Sequence, residues 1–263
     1  MEEGRYKREA EFHDKVFSDD TRQPAYKYYS IAQSSKAFYR NYIIAQSRDG
    51  RVLEYGCGPF SHAPLLAQQG AAVVGIDISP VAVARHASTL KQKNVHRALS
   101  CVMNAESLGF REQSFNLICG IGILHHLNLE KSLDEIARTL SPGGSAIFLE
   151  PLGHNPLINA YRHLTPKLRT VDEHPLTVAD LELMKRYFGC CEIVYFHLMS
   201  LLAVPFRSFR WFPKVVNRLE AVDRWIFRTI PYFRRWSWAA VMILREPKHV
   251  APAPSTTVTA MQA

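Results

Sequence analysis

Residues 52–59 read VLEYGCGP, a short apolar run that ends in a glycine-rich turn. Glycine lets the backbone turn tightly and approach a ligand closely, and a helix that follows such a turn presents N–H groups to an anion. A second run, AVVGID at residues 72–77, ends in Asp77 about twenty residues after the glycines, where a carboxylate can bind two ribose hydroxyls. Asp77 could instead cap the next helix, but Ser79, directly before Pro80, is the better candidate for that role. The two runs therefore predict a nucleoside site at the ends of neighbouring strands.

The alternation of strands and helices continues through the middle of the chain. Further strands are predicted at 98–103, 115–119, 145–150, 192–196 and 239–244, with helices at 81–90, 133–140 and 177–188. Strands that alternate with helices form parallel sheets, and their carboxyl ends share one edge, where ligands bind. The sequence therefore predicts an α/β fold, with a mostly parallel seven-stranded sheet and helices on both faces.

The segments outside this alternation predict a lid and two cap insertions. Residues 1–50 have helical patterns. A lid over the sheet edge and plain helix packing both account for their tyrosines, Tyr26, Tyr28, Tyr29 and Tyr39. Residues 51–246 are predicted to form the main domain, with insertions near 151–176 and 201–235. The segment 247–263, rich in Ala, Pro, Ser and Thr, is predicted to be a disordered tail.

Much of the net charge of +8 lies in one aromatic segment, residues 205–236. A helix within it is predicted to bury a stripe formed by Val215, Leu219, Val222 and Ile226. One interpretation is a cap helix with a solvated basic face, and another is a hydrophobic substrate cover that rests on anionic lipid headgroups. Nucleic-acid binding is a third and less favoured interpretation, because no recognised nucleic-acid module accompanies the charge.

The composition excludes several other classes of protein. No apolar run approaches the roughly 20 residues that span a bilayer, and we expect no secretory signal in the charged N-terminus. The five cysteines form no CxxC pair, so neither a disulfide framework nor a zinc site is expected, and no metal ligands are predicted. Reduced, buried thiols favour a cytoplasmic protein, with membrane association through 205–236 left open.

In this order and spacing, the motifs resemble those of the class I S-adenosylmethionine (SAM)-dependent methyltransferases. Glu54, Gly56 and Gly58 match the acidic-x-Gly-x-Gly signature of the family, and Asp77 matches its ribose-binding acid. The segments NAESLGF (104–110), SFNLI (114–118), ILHHL (123–127) and LSPGG (140–144) resemble its later motifs. The resemblance covers about residues 50–150 and is greatest to a small-molecule branch that includes quinone-biosynthesis methyltransferases. It implies a Rossmann-like class I methyltransferase fold.

The resemblance also implies SAM as cofactor, S-adenosylhomocysteine as product and a set of binding residues. That set is Glu54, Gly56, Cys57, Gly58, Asp77, Ile78, Ser79, Asn104, Ala105, Glu106, Gly120 and Ile121. Phe60 departs from the family where a third glycine is common, and Asn104 stands where Asp is usual. A nicotinamide dinucleotide is less favoured, because its GxGxxG fingerprint would need glycine in place of Ser61.

Methyl transfer needs a nucleophile held near the sulfonium carbon, and a hydroxyl acceptor is helped by a general base. The candidates are His125 and its neighbour His126, Glu150, His154, and His174 with Asp172 or Glu173 to orient it. Each has a structural alternative, and many enzymes of this fold need no base. The predicted function is methyl transfer from SAM to a small or lipid-like acceptor. The alternatives are a SAM-binding protein that does not methylate, and a peripheral membrane or RNA-binding module on the same fold.

Overall fold

A seven-stranded sheet organises the computed structural model, which describes residues 2–19, 26–58, 61–165 and 173–248. The strand order is β3-β2-β1-β4-β5-β7-β6, and β7 alone runs antiparallel to its neighbours β5 and β6. This arrangement confirms the predicted mostly parallel sheet. The strands are β1 (Arg51–Tyr55), β2 (Ala72–Asp77), β3 (Ala98–Val102), β4 (Phe115–Ile121), β5 (Leu140–Pro151), β6 (Phe188–Phe196) and β7 (Ala239–Pro247).

Helices cover both faces of the sheet, as predicted. They are α1 (Glu2–Asp19), α2 (Tyr26–Tyr29), α3 (Gln33–Ser47), α4 (Ala63–Gln68), α5 (Pro80–Gln92), α6 (Leu129–Thr139), α7 (Pro156–Leu164), α8 (Val178–Tyr187) and α9 (Phe212–Thr229). Three 3-10 segments complete the described elements, at Leu124–His126, Met199–Phe206 and Pro231–Trp236.

Two separate cores fix these helices to the sheet. On one face, Ile43 of α3 and Leu66 of α4 pack against strand residues such as Val73. On the other, Leu133 of α6 and Met184 of α8 pack in a cluster with the inward side chains of β1, β4 and β5. Because successive side chains of a strand point to opposite faces, neighbouring strand residues serve different cores. Both faces are therefore buried, as a parallel sheet requires.

Local caps set where the helices begin. The Ser79 side chain accepts a hydrogen bond from the Ala82 amide at 3.0 Å, and Pro80 opens α5, so Ser79 is the cap predicted from the sequence. Thr177 and Asp180 form a reciprocal capping box at the start of α8. Such caps satisfy amide groups that a helix leaves without partners. They place the loops that follow the strands firmly at one edge of the sheet.

The predicted apolar stripe of α9 is wrong in one position. Val222 is 42% exposed, whereas Asp223 is buried. The Asp223 carboxylate accepts hydrogen bonds from three backbone amides at the start of the 3-10 segment, 198–200, at 2.6 to 3.3 Å. This acceptor role turns Asp223 inward, because those N–H groups have no helical partner. The buried apolar residues of the helix are Phe212, Val216 and Phe227.

Several sequence-based predictions lie outside the described residues. They concern the Tyr26 side chain, Phe60, Asp172 and nearly all of the tail, from residue 249 onward. Among the helices that the structure does describe, none combines the length and the apolar character needed to cross a membrane.

Candidate functional site

The predicted cofactor turn lies at the carboxyl edge of the sheet, where β1 ends beside β2. Gly56 has a φ of 69°, a left-handed conformation that favours glycine. The next residue, Cys57, donates its backbone N–H to the Ile76 carbonyl at 2.9 Å, and its side chain is fully buried. A Cβ on Gly75 would lie only 2.5 Å from that of Cys57. The turn can therefore pack on β2 only because residue 75 has no side chain.

Glu54, two residues before Gly56, stabilises the segment that follows this turn. Its buried carboxylate accepts hydrogen bonds from the Ser61 hydroxyl and, at 2.7 Å, from the His62 amide. Burial alone would raise the pKa of Glu54, but the hydrogen bonds from His62 and Ser61 outweigh burial and hold this pKa below its ordinary value. Glu54 therefore positions the loop that leads to α4, and its carboxylate is engaged by the protein itself.

Asp77 stands at the end of β2 with a half-buried carboxylate. Its Oδ1 accepts the Ser79 amide at 2.9 Å. Ser79 is fully buried, caps α5 and donates its hydroxyl to Asp14 of α1. The predicted contact of Ser79 with a cofactor is therefore restricted to its backbone, because the side chain serves the fold. Asp77 and the half-buried Ile78 stay at the edge where a ribose and a base would lie.

The segment predicted to border the adenine is held by its own hydrogen bonds. Asn104 Oδ1 accepts the Glu106 amide at 2.9 Å, and Ala105 is buried in the core. The Glu106 carboxylate accepts from Arg5 at 2.6 Å, from Tyr6 at 2.9 Å and from the Asn128 amide at 2.7 Å. The Glu106 carboxylate thus attaches α1 to the sheet edge, and its place at the edge of an adenine stays a prediction.

Helix α1 crosses the loops that follow β2, β3 and β4. Asp14 bonds the loop after β2, Arg5 bonds Glu106 after β3, and Arg5 also donates to the His126 carbonyl after β4 at 3.2 Å. Glu9 approaches the His126 ring, with 3.3 Å between Oε2 and Nδ1. The sequence predicted a helical region here without these contacts. The available signal was the i, i+4 spacing of Arg5 and Glu9, which puts both charges on one face.

The end of β4 supplies the opposite side of the candidate cofactor site. A Cβ on Gly120 would lie 2.9 Å from Ile123 and 3.0 Å from Phe148, so close packing requires glycine here. Ile121 is 41% exposed at the same edge, and Gly122 has a φ of 64°. Gly120 therefore allows Ile123 and Phe148 to pack closely against the end of β4, and Ile121 is exposed at the edge of the sheet.

A polar cluster follows directly after β4. Glu150, at the end of β5, accepts backbone N–H groups from Ile123 at 2.9 Å and Leu124 at 3.0 Å, and its Oε2 lies 2.6 Å from His125 Nδ1. Burial raises the pKa of Glu150 to about 7 despite these hydrogen bonds. Glu173 Oε1 lies 4.0 Å from His125 Nε2. The structure thus pairs Glu173 with His125, and not with His174 as the sequence suggested.

His154 and His174 do not join this cluster. His154 Nε2 accepts a hydrogen bond from the Val178 amide at 3.3 Å. The His154 side chain lines a separate cleft together with Tyr195 and Tyr232. The His174 side chain is exposed, and its backbone amide donates to the His125 carbonyl at 2.8 Å. The structure therefore separates two of the four predicted catalytic residues from the other two. The sequence did not indicate that Glu9 approaches His126 or that Glu173 approaches His125, because these partners lie in distant segments.

A family model described as a methyltransferase domain matches residues 53–148, the part of the chain that contains β1 to β5. Over these residues the chain is similar to methyltransferase domains. Demethylmenaquinone methyltransferase from Chlorobaculum parvum is 26% identical over 149 residues, covering 54% of this chain and 58% of that protein. Ubiquinone biosynthesis O-methyltransferase from Dechloromonas aromatica is 34% identical over 110 residues, covering 40% and 46%. The chain thus spans about half the length of these curated relatives.

Solved structures of methyltransferases share the fold of this chain. Phosphoethanolamine N-methyltransferase 2 from Haemonchus contortus, in complex with S-adenosyl-L-methionine, superposes with a TM-score of 0.61 at 16% identity. The match covers 89% of this chain and 60% of that one. The seven-stranded sheet, completed by β6 and β7, therefore has the Rossmann-like class I fold that the sequence motifs implied.

Proposed function

We propose that the chain transfers a methyl group from SAM to a small, lipid-like acceptor. The observation that carries this proposal is the pairing of β1 with β2. Tyr55 lies opposite Ile76, so the next residues along, Gly56 and Asp77, stand side by side at the sheet edge. A left-handed glycine turn beside a carboxylate fits the two ends of a nucleoside cofactor, because the backbone admits one end and the acid accepts ribose hydroxyls.

Different residues of this edge would bind different parts of the cofactor. Backbone groups of Gly56, Cys57 and Gly58 would hold the methionine end, and Asp77 would hold the ribose. The adenine would lie between Ile78 and the 104–105 segment, with the Gly120–Ile121 backbone on the other side. Glu54, Ser79 and Glu106 act through the loops that they fix, because their side chains are already hydrogen-bonded.

The chemistry is an in-line displacement at the methyl carbon. When bound, SAM would supply the methyl group, the acceptor lone pair would form the new bond to carbon, and S-adenosylhomocysteine would leave with the electron pair of the carbon–sulfur bond. A hydroxyl acceptor would also give its proton to a base or to water. The His125–Glu150 pair and Glu173 form the polar end of the acceptor side, because they follow β4 and β5 next to the cofactor edge. Residues 1–50 would act as the lid, through the contacts of α1 with three loops.

The proposal is tested first by cofactor binding. We expect micromolar binding of SAM and S-adenosylhomocysteine by calorimetry, and at least tenfold weaker binding for Asp77→Ala, which is about 1.4 kcal/mol. Asp134→Ala is the matched control, because Asp134 is an exposed acid on α6. Equal affinities of the wild type and Asp77→Ala would contradict the ribose role. Absence of binding by the folded wild type would contradict the proposed function.

The acceptor is tested by transfer of a labelled methyl group. The two relatives are named for steps in quinone biosynthesis, which favours lipid extracts and prenylated phenols or quinols as the first acceptors. We expect label in an organic-phase product that depends on the protein and on SAM. Binding of SAM without transfer to any extract would favour the alternative, a SAM-binding protein that does not methylate.

We further propose that residues 205–236 rest on an anionic membrane surface. Phe206, Phe209 and Trp211 are 43–54% exposed and contact one another, with ring centroids 5.1–6.4 Å apart. Trp225 and Tyr232 are about 60% exposed on the same segment. Exposed aromatic residues favour the interface of a bilayer, and basic side chains beside them favour anionic headgroups. The exposed basic residues are Arg207, Arg210, Lys214, Arg218, Arg224, Arg228 and Arg235.

Vesicle flotation tests this surface. We expect binding to vesicles that contain phosphatidylglycerol, with weaker binding at higher salt, and clear loss for the double variant Phe209→Ser, Trp211→Ser. Leu164→Ser is the matched control, because Leu164 is 81% exposed on α7 outside this segment. Equal flotation of the double variant and the control would contradict the proposal. Salt-sensitive RNA binding without flotation would instead favour the nucleic-acid alternative.

A further inference from the structure

Two histidines and a carboxylate converge after β4, from segments far apart in the sequence. One potential ligand atom from each of His125, His126 and Glu173 lies within 4.8 Å of the other two. Both histidines are buried, and Glu173 is partly buried. We propose that these three residues bind one divalent transition-metal ion, for which Zn²⁺ is the natural probe. Two imidazoles with one carboxylate form a ligand set that suits zinc and iron, and it leaves a coordination position for another molecule.

The separation between His125 and Glu173 requires only a small contraction. Zinc–nitrogen and zinc–oxygen bonds of about 2.0–2.2 Å place tetrahedral ligand atoms about 3.3 Å apart. The observed separation of 4.0 Å between His125 Nε2 and Glu173 Oε1 exceeds this by less than about 1 Å. Glu173 lies in the loop before α8, where its side chain can make that adjustment. The backbone bond from His174 to the His125 carbonyl, at 2.8 Å, holds this loop against the histidine.

The surroundings of the histidines match those of metal ligands. A metal-bound imidazole commonly donates its second ring N–H to a carboxylate, which fixes the tautomer and directs the other nitrogen to the metal. His125 Nδ1 lies 2.6 Å from Glu150, and His126 Nδ1 lies 3.3 Å from Glu9. The hydrogen bond from Glu150 directs Nε2 of His125 to the metal, and Glu9 lies beside His126 as a second carboxylate.

Charge balance favours the same conclusion. Glu9, Glu150 and Glu173 surround two adjacent imidazole rings whose centroids are 4.2 Å apart. Buried carboxylates are costly unless they are paired or bind a metal. A divalent cation between the imidazoles would offset two of the three carboxylate charges without placing protons on both rings. Direct pairing of each histidine with its carboxylate is the alternative, and it predicts no metal affinity.

The site has a consequence for the acceptor, and this consequence rests on the proposed function. The ion would lie at the polar end of the acceptor side, so its remaining position would bind an oxygen of the acceptor. A hydroxyl bound there loses its proton to water more readily, because the cation stabilises the oxyanion. The acceptor class is thus a molecule with a hydroxyl that can bind a metal, such as a phenol with a neighbouring oxygen.

Metal binding is measured without turnover. The chain of residues 1–263 is stripped with a chelator, dialysed and titrated with Zn²⁺ by calorimetry, with and without S-adenosylhomocysteine. Co²⁺ replaces Zn²⁺ in a second titration, in which visible absorption reports the geometry of the ligands. The variants are His126→Gln and Glu173→Gln, and His96→Gln is the matched control, because His96 is exposed in the loop before β3. Circular dichroism and S-adenosylhomocysteine affinity establish that each variant is folded.

We expect one equivalent of Zn²⁺ per chain, at least tenfold weaker binding for each ligand variant, and unchanged binding for His96→Gln. Glu173→Gln is the decisive variant, because it removes a ligand from a partly buried loop with little risk to folding. Equal affinities for the wild type and Glu173→Gln would overturn the proposal, as would absence of stoichiometric binding by the wild type. S-adenosylhomocysteine binding without Zn²⁺ binding would overturn the metal site and leave the proposed function intact.

Discussion

Replacing His197 by Asn should remove a pH dependence of stability that one buried imidazole creates. His197 lies after β6 and is 1% exposed, and its Nε2 lies 2.9 Å from the Ser35 hydroxyl of α3. Burial lowers its pKa from 6.5 to about 4, because the charged form loses its hydration. Its φ of 63° lies in the left-handed region, which Asn tolerates better than most residues. The substitution therefore removes the titrating group with little backbone strain.

The magnitude follows from the gap between the folded and unfolded pKa values. Below pH 6.5 the unfolded state binds a proton at His197 that the folded state does not bind. The free energy of unfolding therefore decreases as the pH falls from about 6.5 to about 4. A gap of about 2.5 at about 1.4 kcal/mol per pH unit gives about 3 kcal/mol. Above pH 6.5 this contribution is fully present, and below pH 4 the loss is complete.

Urea unfolding between pH 4 and pH 8 measures this effect as the difference between wild type and His197→Asn. We expect the advantage of the wild type to shrink by about 3 kcal/mol from pH 7.5 to pH 4. His96→Asn, an exposed histidine, should give a curve parallel to the wild type. Glu220 opposes the effect, because its Oε1 lies 4.0 Å from His197 Nδ1 and attracts the protonated form. A constant difference across the pH range would show that this attraction cancels the cost of burial, and it would refute the reasoning.

Three further substitutions test the site and its supports. Gly75→Ala should weaken S-adenosylhomocysteine binding at least tenfold and lower the melting temperature, because the new Cβ would lie 2.5 Å from the buried Cys57 side chain. Calorimetry measures the affinity, and Gly109→Ala is the control, because the nearest atom to its Cβ would be 3.6 Å away. Arg5→Gln should speed amide hydrogen exchange throughout α1, since it weakens the attachment to a buried carboxylate, whereas the exposed Lys7→Gln should leave exchange unchanged. Thr177→Ala should cost about 1 kcal/mol of unfolding free energy in urea, because α8 loses its capping box; no loss would mean that water replaces the cap.

The repeating part of the fold was predictable because its signals are local. Runs such as 52–55 and 72–77 are apolar strands, and the caps at Ser79 and Thr177 need only neighbouring residues. The helix predicted to end at residue 140 ends at Thr139 in the structure. Strand β5 begins at the next residue, Leu140. Such features depend on contacts within a few positions of the chain, which periodicity and turn residues report directly.

The contacts of the candidate site were harder to predict, because they join segments that are distant in sequence. Glu106 was expected at a cofactor, yet Arg5, about a hundred residues earlier, occupies its carboxylate. The stripe of α9 was misjudged at Val222 because Asp223 turns inward to bind amides that precede it by more than twenty residues. A polar residue with a distant buried partner has the same local pattern as one that faces water.

The sequence by itself determined the order of strands and helices, the parallel sheet, and the position of Gly56 and Asp77 at its carboxyl edge. These follow from short-range patterns and from the rule that parallel strands end on one side. Only the tertiary structure decided which polar side chains meet there. It placed Glu9 beside His126, placed Glu173 beside the two histidines, and separated His154 and His174 from them. Long-range packing sets those distances, and they cannot be read from the spacing of residues along the chain.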